Sequence, residues 1–336
     1  MYYLYASHFL SYSEGMKRAA KQANPRRAAI PANSAVRALA ILGDRWTLLI
    51  LRDAFLGVRR FGDFQERLGI APTVLTRRLA QLVRNGLLRR DQAGPGQVDY
   101  HLTKKGLDVY PVALMLLRWE TRWFPARAAI VLHHIVCGQK TNPRFTCGGC
   151  GDEIDPHDVR YEDGPGAGRD PATSRRLRRP SISAADNRAN QRHLEHAADL
   201  LGDRWSWEII GGAFLGRRRF DDIQSQTTMA SNILSARLAR LIDEGVITRR
   251  AYQDRPPRYE YVLTTKGRDL YPAIVMLMRW GDRWLAGKRG PPLALSHTSC
   301  GRALDPQVTC SACGAMLDAH AVRYVFETRA GSEGSA

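Results

Sequence analysis

All six cysteines of this 336-residue chain fall into two copies of one pattern. They are His134-x-x-Cys137, nine residues, Cys147-x-x-Cys150, and His297-x-x-Cys300, nine residues, Cys310-x-x-Cys313. Two short chelating pairs separated by a loop supply three thiolates and one imidazole, a donor set that suits tetrahedral zinc, and four protein ligands leave no open position for catalysis. The spacing therefore predicts two structural zinc sites, one per copy. Three cysteines in each copy would leave one thiol unpaired, which argues against disulfides. His157 and His320 also recur, each seven residues after the last cysteine. They remain alternatives for the fourth ligand, with His134 and His297 preferred for their shorter loops.

The elements that must hold these ligands are themselves repeated. Leu42-Gly43-Asp44-Arg45-Trp46 returns as Leu201-Gly202-Asp203-Arg204-Trp205, and Ala54-Phe55-Leu56-Gly57 as Ala213-Phe214-Leu215-Gly216, both at an offset of 159. Beyond Gly86, which matches Gly245, the offset becomes 161, and Tyr110-Pro111 and Arg118-Trp119 match Tyr271-Pro272 and Arg279-Trp280. A repeat this long makes the architecture a tandem duplication.

Within one copy, apolar spacing predicts a helix from Ser34 to about Leu42, ended by Gly43. Asp44 then caps an apolar second helix that Gly57 stops. A short helix over 61–68, a turn at 69–71 and a helix from Pro72 to Asn85 make a helix-turn-helix. Leu75, Leu79 and Leu82 form its buried stripe, leaving Thr73, Thr76, Arg77 and Ala80 on another face, and Thr73, Thr76, Arg77 and Arg78 are the residues placed to reach DNA. Asn232, Ser235 and Arg237 take the corresponding places in the second copy. Strands over 87–91 and 98–102, and over 246–252 and 258–263, form hairpin wings carrying Arg89, Arg90, Arg249, Arg250, Arg255 and Arg258. Thr103 caps a last long helix running to about Phe124, which Pro111 is predicted to kink.

The fold class is mainly α with small β wings: two tandem winged helix-turn-helix domains, each with a C-terminal zinc-knuckle-like extension. The expected order is a tail (1–30), a first winged domain (31–127), its Cys/His knuckle (128–162) and a Gly-, Pro-, Ser- and Arg-rich linker (163–189). A second winged domain (190–288), its knuckle (289–326) and a tail (327–336) follow. Fifty Lys and Arg against 33 Asp and Glu give a net charge of +17, which favours polyanionic partners. Hydrophobic residues at 44% and charged residues at 25% are the balance of a folded chain. No run of 18 apolar residues is present, so a cytoplasmic protein is expected. Phosphate loops, nucleophile elbows and His-Glu-x-x-His are missing too, so catalysis is not expected.

The strings Leu42-Gly43-Asp44-Arg45-Trp46, Arg60-Phe61-Gly62-Asp63-Phe64, Leu75-Thr76-Arg77-Arg78-Leu79 and Leu102-Thr103-Lys104-Lys105-Gly106 resemble the HxlR-type winged helix-turn-helix regulators of bacteria and archaea. That resemblance covers roughly 90 residues of each copy. It implies a transcriptional regulator that binds double-stranded DNA, most commonly as a repressor, with two winged domains associating through the first helix and the long last helix. Because both copies share one chain, an intrachain pseudo-dimer is expected, with room for a further homo-dimer and with any small-molecule effector undefined. The cysteine that senses oxidants in several members is absent, its place being taken by Asn33 and about Arg192. In the groove, Arg can hold guanine and Asn adenine through two hydrogen bonds each, whereas wing arginines mainly meet phosphate. Arg77 aligns with Ala236 and Thr73 with Asn232, so an asymmetric operator is expected, its half-sites one helical turn or a multiple apart. The competing reading is a protein-interaction scaffold that keeps the winged fold without reading bases.

Overall fold

The computed structural model describes residues 29–124, 129–171 and 194–327. In chain order the elements are β1 (Ala29–Pro31), α1 (Ser34–Leu42), α2 (Arg45–Phe55), α3 (Phe61–Leu68), α4 (Pro72–Arg84), β2 (Leu88–Gly94), β3 (Gln97–Leu102), α5 (Lys104–Leu107) and α6 (Tyr110–Trp123). Next come β4 (Ala129–His134), β5 (Lys140–Thr141), β6 (Arg144–Cys147), β7 (Val159–Asp163), β8 (Arg169–Pro171), α7 (Glu195–Leu201), α8 (Arg204–Phe214), α9 (Phe220–Thr227) and α10 (Ser231–Asp243). The last are β9 (Ile247–Gln253), β10 (Arg258–Leu263), α11 (Thr265–Arg268), α12 (Tyr271–Leu285), β11 (Leu293–His297), β12 (Arg302–Ala303), β13 (Pro306–Thr309) and β14 (Val322–Glu327).

Local chemistry accounts for these boundaries. Asp44 accepts a hydrogen bond from the Thr47 N–H at 3.2 Å and so caps α2, and Asp203 does the same for α8 through the Trp205 N–H. Gly57 (φ 90°) and Gly69 (φ 59°) supply the left-handed conformation that ends α2 and α3. The expected long helix after Thr103 is not kinked but broken, into α5 and α6. Pro111 and Pro272 each sit in the first turn of the second piece, where a missing N–H costs nothing; inside a continuous helix each would remove one hydrogen bond and clash with the preceding turn.

The chain divides into two compact units, and neither coincides with one sequence copy. The leading unit contains described residues 41–124, 129–153, 194–202 and 306–327; the trailing unit contains 29–40, 154–171 and 203–305. The leading unit thus joins the winged elements of the first copy to α7, the first helix of the second. There α7 packs on α2 and α6, burying Ala197, Ala198 and Leu200. The buried Glu120 carboxylate of α6 accepts from the Ala197 N–H at 3.0 Å, and Arg45 pairs with Glu195 and Asp199. In the trailing unit the first-copy helix α1 lies against the second copy's α12. Arg37 donates to Asp170 through Nε and Nη2 at 2.7 and 2.9 Å and reaches the Leu285 carbonyl at 3.4 Å. The start of the stretch expected to be linker is built into this unit, because β8 pairs antiparallel with β1 and β7 with β11. Arg175, Arg176, Arg178 and Arg179 of that stretch lie outside the described residues.

Gly281 of α12 shows how close α1 comes, since a Cβ there would lie 2.3 Å from the Ser34 carbonyl oxygen. Alanine in mid-helix ordinarily stabilises by about 0.5–1 kcal/mol relative to glycine. With α1 seated on α12, Gly281→Ala instead lowers stability, by roughly 1–3 kcal/mol, as a drop in the urea midpoint. A raised midpoint would mean that α1 packs elsewhere.

Candidate nucleic-acid interface and metal centre

Each winged copy presents one helix whose outer face is open. Leu75, Leu79 and Leu82 of α4 and Leu234, Leu238 and Leu241 of α10 are buried, so the intervening residues face away from the core. Thr73, Thr76 and Arg77 are exposed on α4, as are Asn232 and Ser235 on α10. Neither helix has a side-chain cap; the capping positions are Ala71 and Ala230. Amides of an uncapped first turn suit phosphate oxygens, helped by the helix dipole. Thr76 Oγ1 donates to the Pro72 carbonyl at 2.8 Å, and Asn232 Oδ1 accepts from the Ile233 N–H at 2.9 Å.

Arg78 and Arg237, expected to contact DNA, have another position. Arg78 Nη2 donates to Asp44 Oδ2 at 2.6 Å, and Arg237 pairs with Asp203. Both arginines are only partly exposed. Each immediately precedes a buried leucine, so the helical period turns it toward the N-terminus of the second helix and not toward solvent. The same aspartate therefore caps the second helix and ties the recognition helix to it. The repeat contains the signal that could have revealed this: Arg78 is the arginine of α4 that returns in α10, whereas Arg77 is replaced by Ala236.

All six wing arginines are exposed. Arg89 pairs with Asp91 at 2.5 Å and Arg250 with Glu260 at 3.0 Å, while Arg249 stacks over Tyr259 with its guanidinium 4.8 Å from the ring centre. Exposed pairs of this kind are worth about 0–1 kcal/mol, so exchanging them for phosphate costs little. The wing is fixed to the body by a Tyr100 N–H to Arg59 carbonyl bond at 2.8 Å, matched by Tyr261 to Arg218 at 2.7 Å.

The HxlR-like helix-turn-helix family matches residues 41–128 and 200–289. The chain belongs to this family. A Mycobacterium tuberculosis protein named an uncharacterized HTH-type transcriptional regulator is 39% identical over 142 residues, 42% of this chain and 90% of that relative. YvaP of Bacillus subtilis, named in the same words, is 35% identical over 93 residues, 27% of this chain and 86% of its own length. A Synechocystis relative with the same description is 33% identical over 93 residues, 27% of the chain and 69% of the relative. These relatives are regulators, not enzymes, and the chain stands with them as a non-enzyme built of two HxlR-like copies. Among the described residues no helix is long and apolar enough to cross a membrane.

Beyond the HxlR-like elements, the Cys/His segments do not close as the sequence spacing suggested. In the leading unit, ligand atoms of His134, Cys137, Cys310 and Cys313 all lie within 4.8 Å of one another. Cys137 Sγ is 3.4 Å from His134 Nδ1 and 3.9 Å from Cys310 Sγ, and Cys313 Sγ is 3.3 Å from His134 Nδ1. Tetrahedral zinc with bonds of about 2.3 Å to sulfur and 2.0–2.1 Å to nitrogen would place its ligands roughly 3.5–3.8 Å apart. These distances fit. The expected sets His134, Cys137, Cys147, Cys150 and His297, Cys300, Cys310, Cys313 are both corrected by this cluster.

Strand register is the cause. β14 pairs antiparallel with β4, placing Val322 opposite His134, and β13 pairs with β6, placing Pro306 opposite Cys147 and Thr309 opposite Arg144. Cys147 and Cys310 thus leave from opposite ends of one short ladder, and only Cys310-x-x-Cys313 comes round to His134. Burial pushes the Cys310 thiol up, but hydrogen bonds from Thr141, from the Cys313 and Ala312 amides and from the Cys313 thiol outweigh it and bring it down to about 6. The thiolate is the form that binds metal.

In the same unit, Cys147 is buried and Cys150 exposed. Within the trailing unit, Cys300 Sγ lies 3.6 Å from His297 Nδ1. His157 and His320, the alternative ligands, are exposed, and His320 is not part of the cluster. The exchanged pairing is tested by metal analysis of the single variants Cys137→Ser and Cys313→Ser and their double. The double is expected to lose the same metal equivalents as either single, whereas ligand sets closed within each copy would make it lose twice as much.

Proposed function

We propose that this chain is a sequence-specific, double-stranded DNA-binding transcriptional regulator, acting as a repressor in the cytoplasm on the nucleoid. It works as an intrachain pseudo-dimer with two structural zinc ions. The observation that carries this reading is the pair of uncapped helices α4 and α10, each open on its outer face and each braced at its middle by an Arg–Asp pair. Thr73, Thr76 and Arg77 in one half, and Asn232 and Ser235 in the other, read base edges. Arg89, Arg90, Arg249, Arg250, Arg255 and Arg258 meet phosphate, and Arg78 and Arg237 position their helices without touching bases. The pseudo-dimer is supported by the composition of each unit, which takes its first helix from the other copy. Zinc is favoured over other metals by three thiolates and one imidazole at tetrahedral spacing, and its role is structural because four protein ligands leave it no open position.

Arg77 has no counterpart in the second copy, so the two half-sites differ. Selection of the zinc-loaded protein against a random duplex library is expected to enrich a split, asymmetric motif whose affinity falls steeply with salt. Arg77→Ala is expected to relax the preference at one guanine of one half-site by about 1–3 kcal/mol and to leave the other half-site unchanged. Binding that is equal for all sequences would overturn the proposal, and a symmetric motif would remove the asymmetric reading.

A further inference from the structure

The trailing unit contains a cavity with about 60 Å³ of room for the centre of a water-sized group. It lies between α8, α12 and the exchanged helix α1. The leading unit has a cavity in the matching place, between α2, α6 and α7, but with only about 20 Å³. Phe55, Ala113 and Leu116 line the smaller one, and their repeat partners Phe214, Ile274 and Leu277 line the larger.

The difference arises at two neighbouring positions. Where α2 carries Arg52 and Asp53, joined at 2.8 Å and almost wholly buried, α8 carries Gly211 and Gly212. A Cβ built on Gly211 meets nothing within 4 Å. The space is therefore open and not closed by the surrounding backbone, although two glycines in mid-helix cost roughly 1 kcal/mol each relative to alanine.

The cavity also has a polar feature that its counterpart lacks. Glu208 stands where the first copy has Leu49, and its side chain is only 4% exposed. One of its oxygens accepts from Arg204 Nε at 2.6 Å, which balances its charge, and burial raises its pKa despite that partner. A carboxylate has more acceptor sites than this single bond uses. The remaining wall is largely aliphatic and aromatic, with the Tyr161 and Tyr271 hydroxyls joined to each other at 2.6 Å.

We propose that this cavity is a binding site for a small neutral molecule, one ring in size, whose single hydrogen-bond donor reaches Glu208. Neutrality follows from the Arg204–Glu208 pair, since a charged ligand would bring an unbalanced charge into a buried site. One ring matches the room, and the apolar lining matches its body. The ligand would bear on α8, which packs on the helix-turn-helix pair α9 and α10, and so on one of the two copies only.

The test uses full-length, zinc-loaded protein and ¹⁹F NMR titration with 4-fluorophenol, with fluorobenzene as the probe that lacks the donor. Saturable binding of one 4-fluorophenol per chain is expected, with fluorobenzene at least tenfold weaker. Gly211→Leu, which fills the cavity, is expected to weaken 4-fluorophenol at least tenfold. If that variant does not fold, Gly211→Ala gives the same comparison, with binding weakened and the thermal midpoint held or raised. Absence of saturable binding, or binding that Gly211→Leu or Gly211→Ala leaves unchanged, would overturn the site; equal binding of both probes would remove Glu208 from it.

Discussion

Each winged unit depends on burying a helix that the other sequence copy provides. α7 has seven residues and α1 nine, both below the length at which a helix persists alone in water. They form because Ala197, Ala198 and Leu200, and Ala35, Ala38 and Leu39, find apolar partners. Each buried leucine contributes roughly 1.5–3 kcal/mol. The starts of the two helices are met differently. The Glu120 carboxylate receives an amide of α7, whereas the glycine at the repeat position, Gly281, lets the backbone of α1 come into contact. The first amides of α1 are met by the Asn33 side chain, whose Oδ1 accepts from the Ala35 N–H at 2.8 Å, so the glycine supplies only room for close approach.

The same economy of parts governs the recognition helices. Asp44 satisfies an amide at the start of α2 and holds Arg78 of α4, 34 residues along the chain, so one carboxylate ties the two helices together. Asp203 repeats this with Arg237. A base-reading helix needs its outward residues held at a definite depth and rotation. A charge-assisted bond at the edge of the buried stripe supplies rotation, and the leucine stripe supplies depth. The split of roles between Arg77, which faces out, and Arg78, which faces in, follows from one step of 100° along the helix.

The elements of the winged copies were legible in the sequence because their signals are local. Asp44, Gly57, Gly69, Pro72 and Thr103 each act on neighbours within a turn. What could not be read was pairing over distance. The two His-x-x-Cys and two Cys-x-x-Cys pairs have the same spacing, so spacing alone fits several combinations; the register of β4 with β14 and of β6 with β13 selects among them. Nor did composition distinguish residues 163–171, where strand pairing outweighs a Gly- and Pro-rich sequence, from a free linker. Pro111 was visible as a disruption, but whether a proline bends a helix or restarts it depends on what the freed groups pack against.

In α8 the second copy diverges from the first at positions where change is costly to the fold. Glu208 in place of a buried leucine draws Arg204, the repeat partner of Arg45, into a buried pair, and placing Gly211 and Gly212 in α8 gives up side-chain contacts that Arg52 and Asp53 make in α2. Both changes lower local stability, and they fall on one turn of one helix, around one cavity. Random loosening of a core would scatter small losses among its apolar positions, with neighbours relaxing inward to fill each gap. Here the exchanged helix, the long helix and the two tyrosines frame the space and keep it open. The two halves of the chain therefore differ: one has the more closely filled interior behind the helix bearing Arg77, the other the roomier interior behind the helix bearing Asn232.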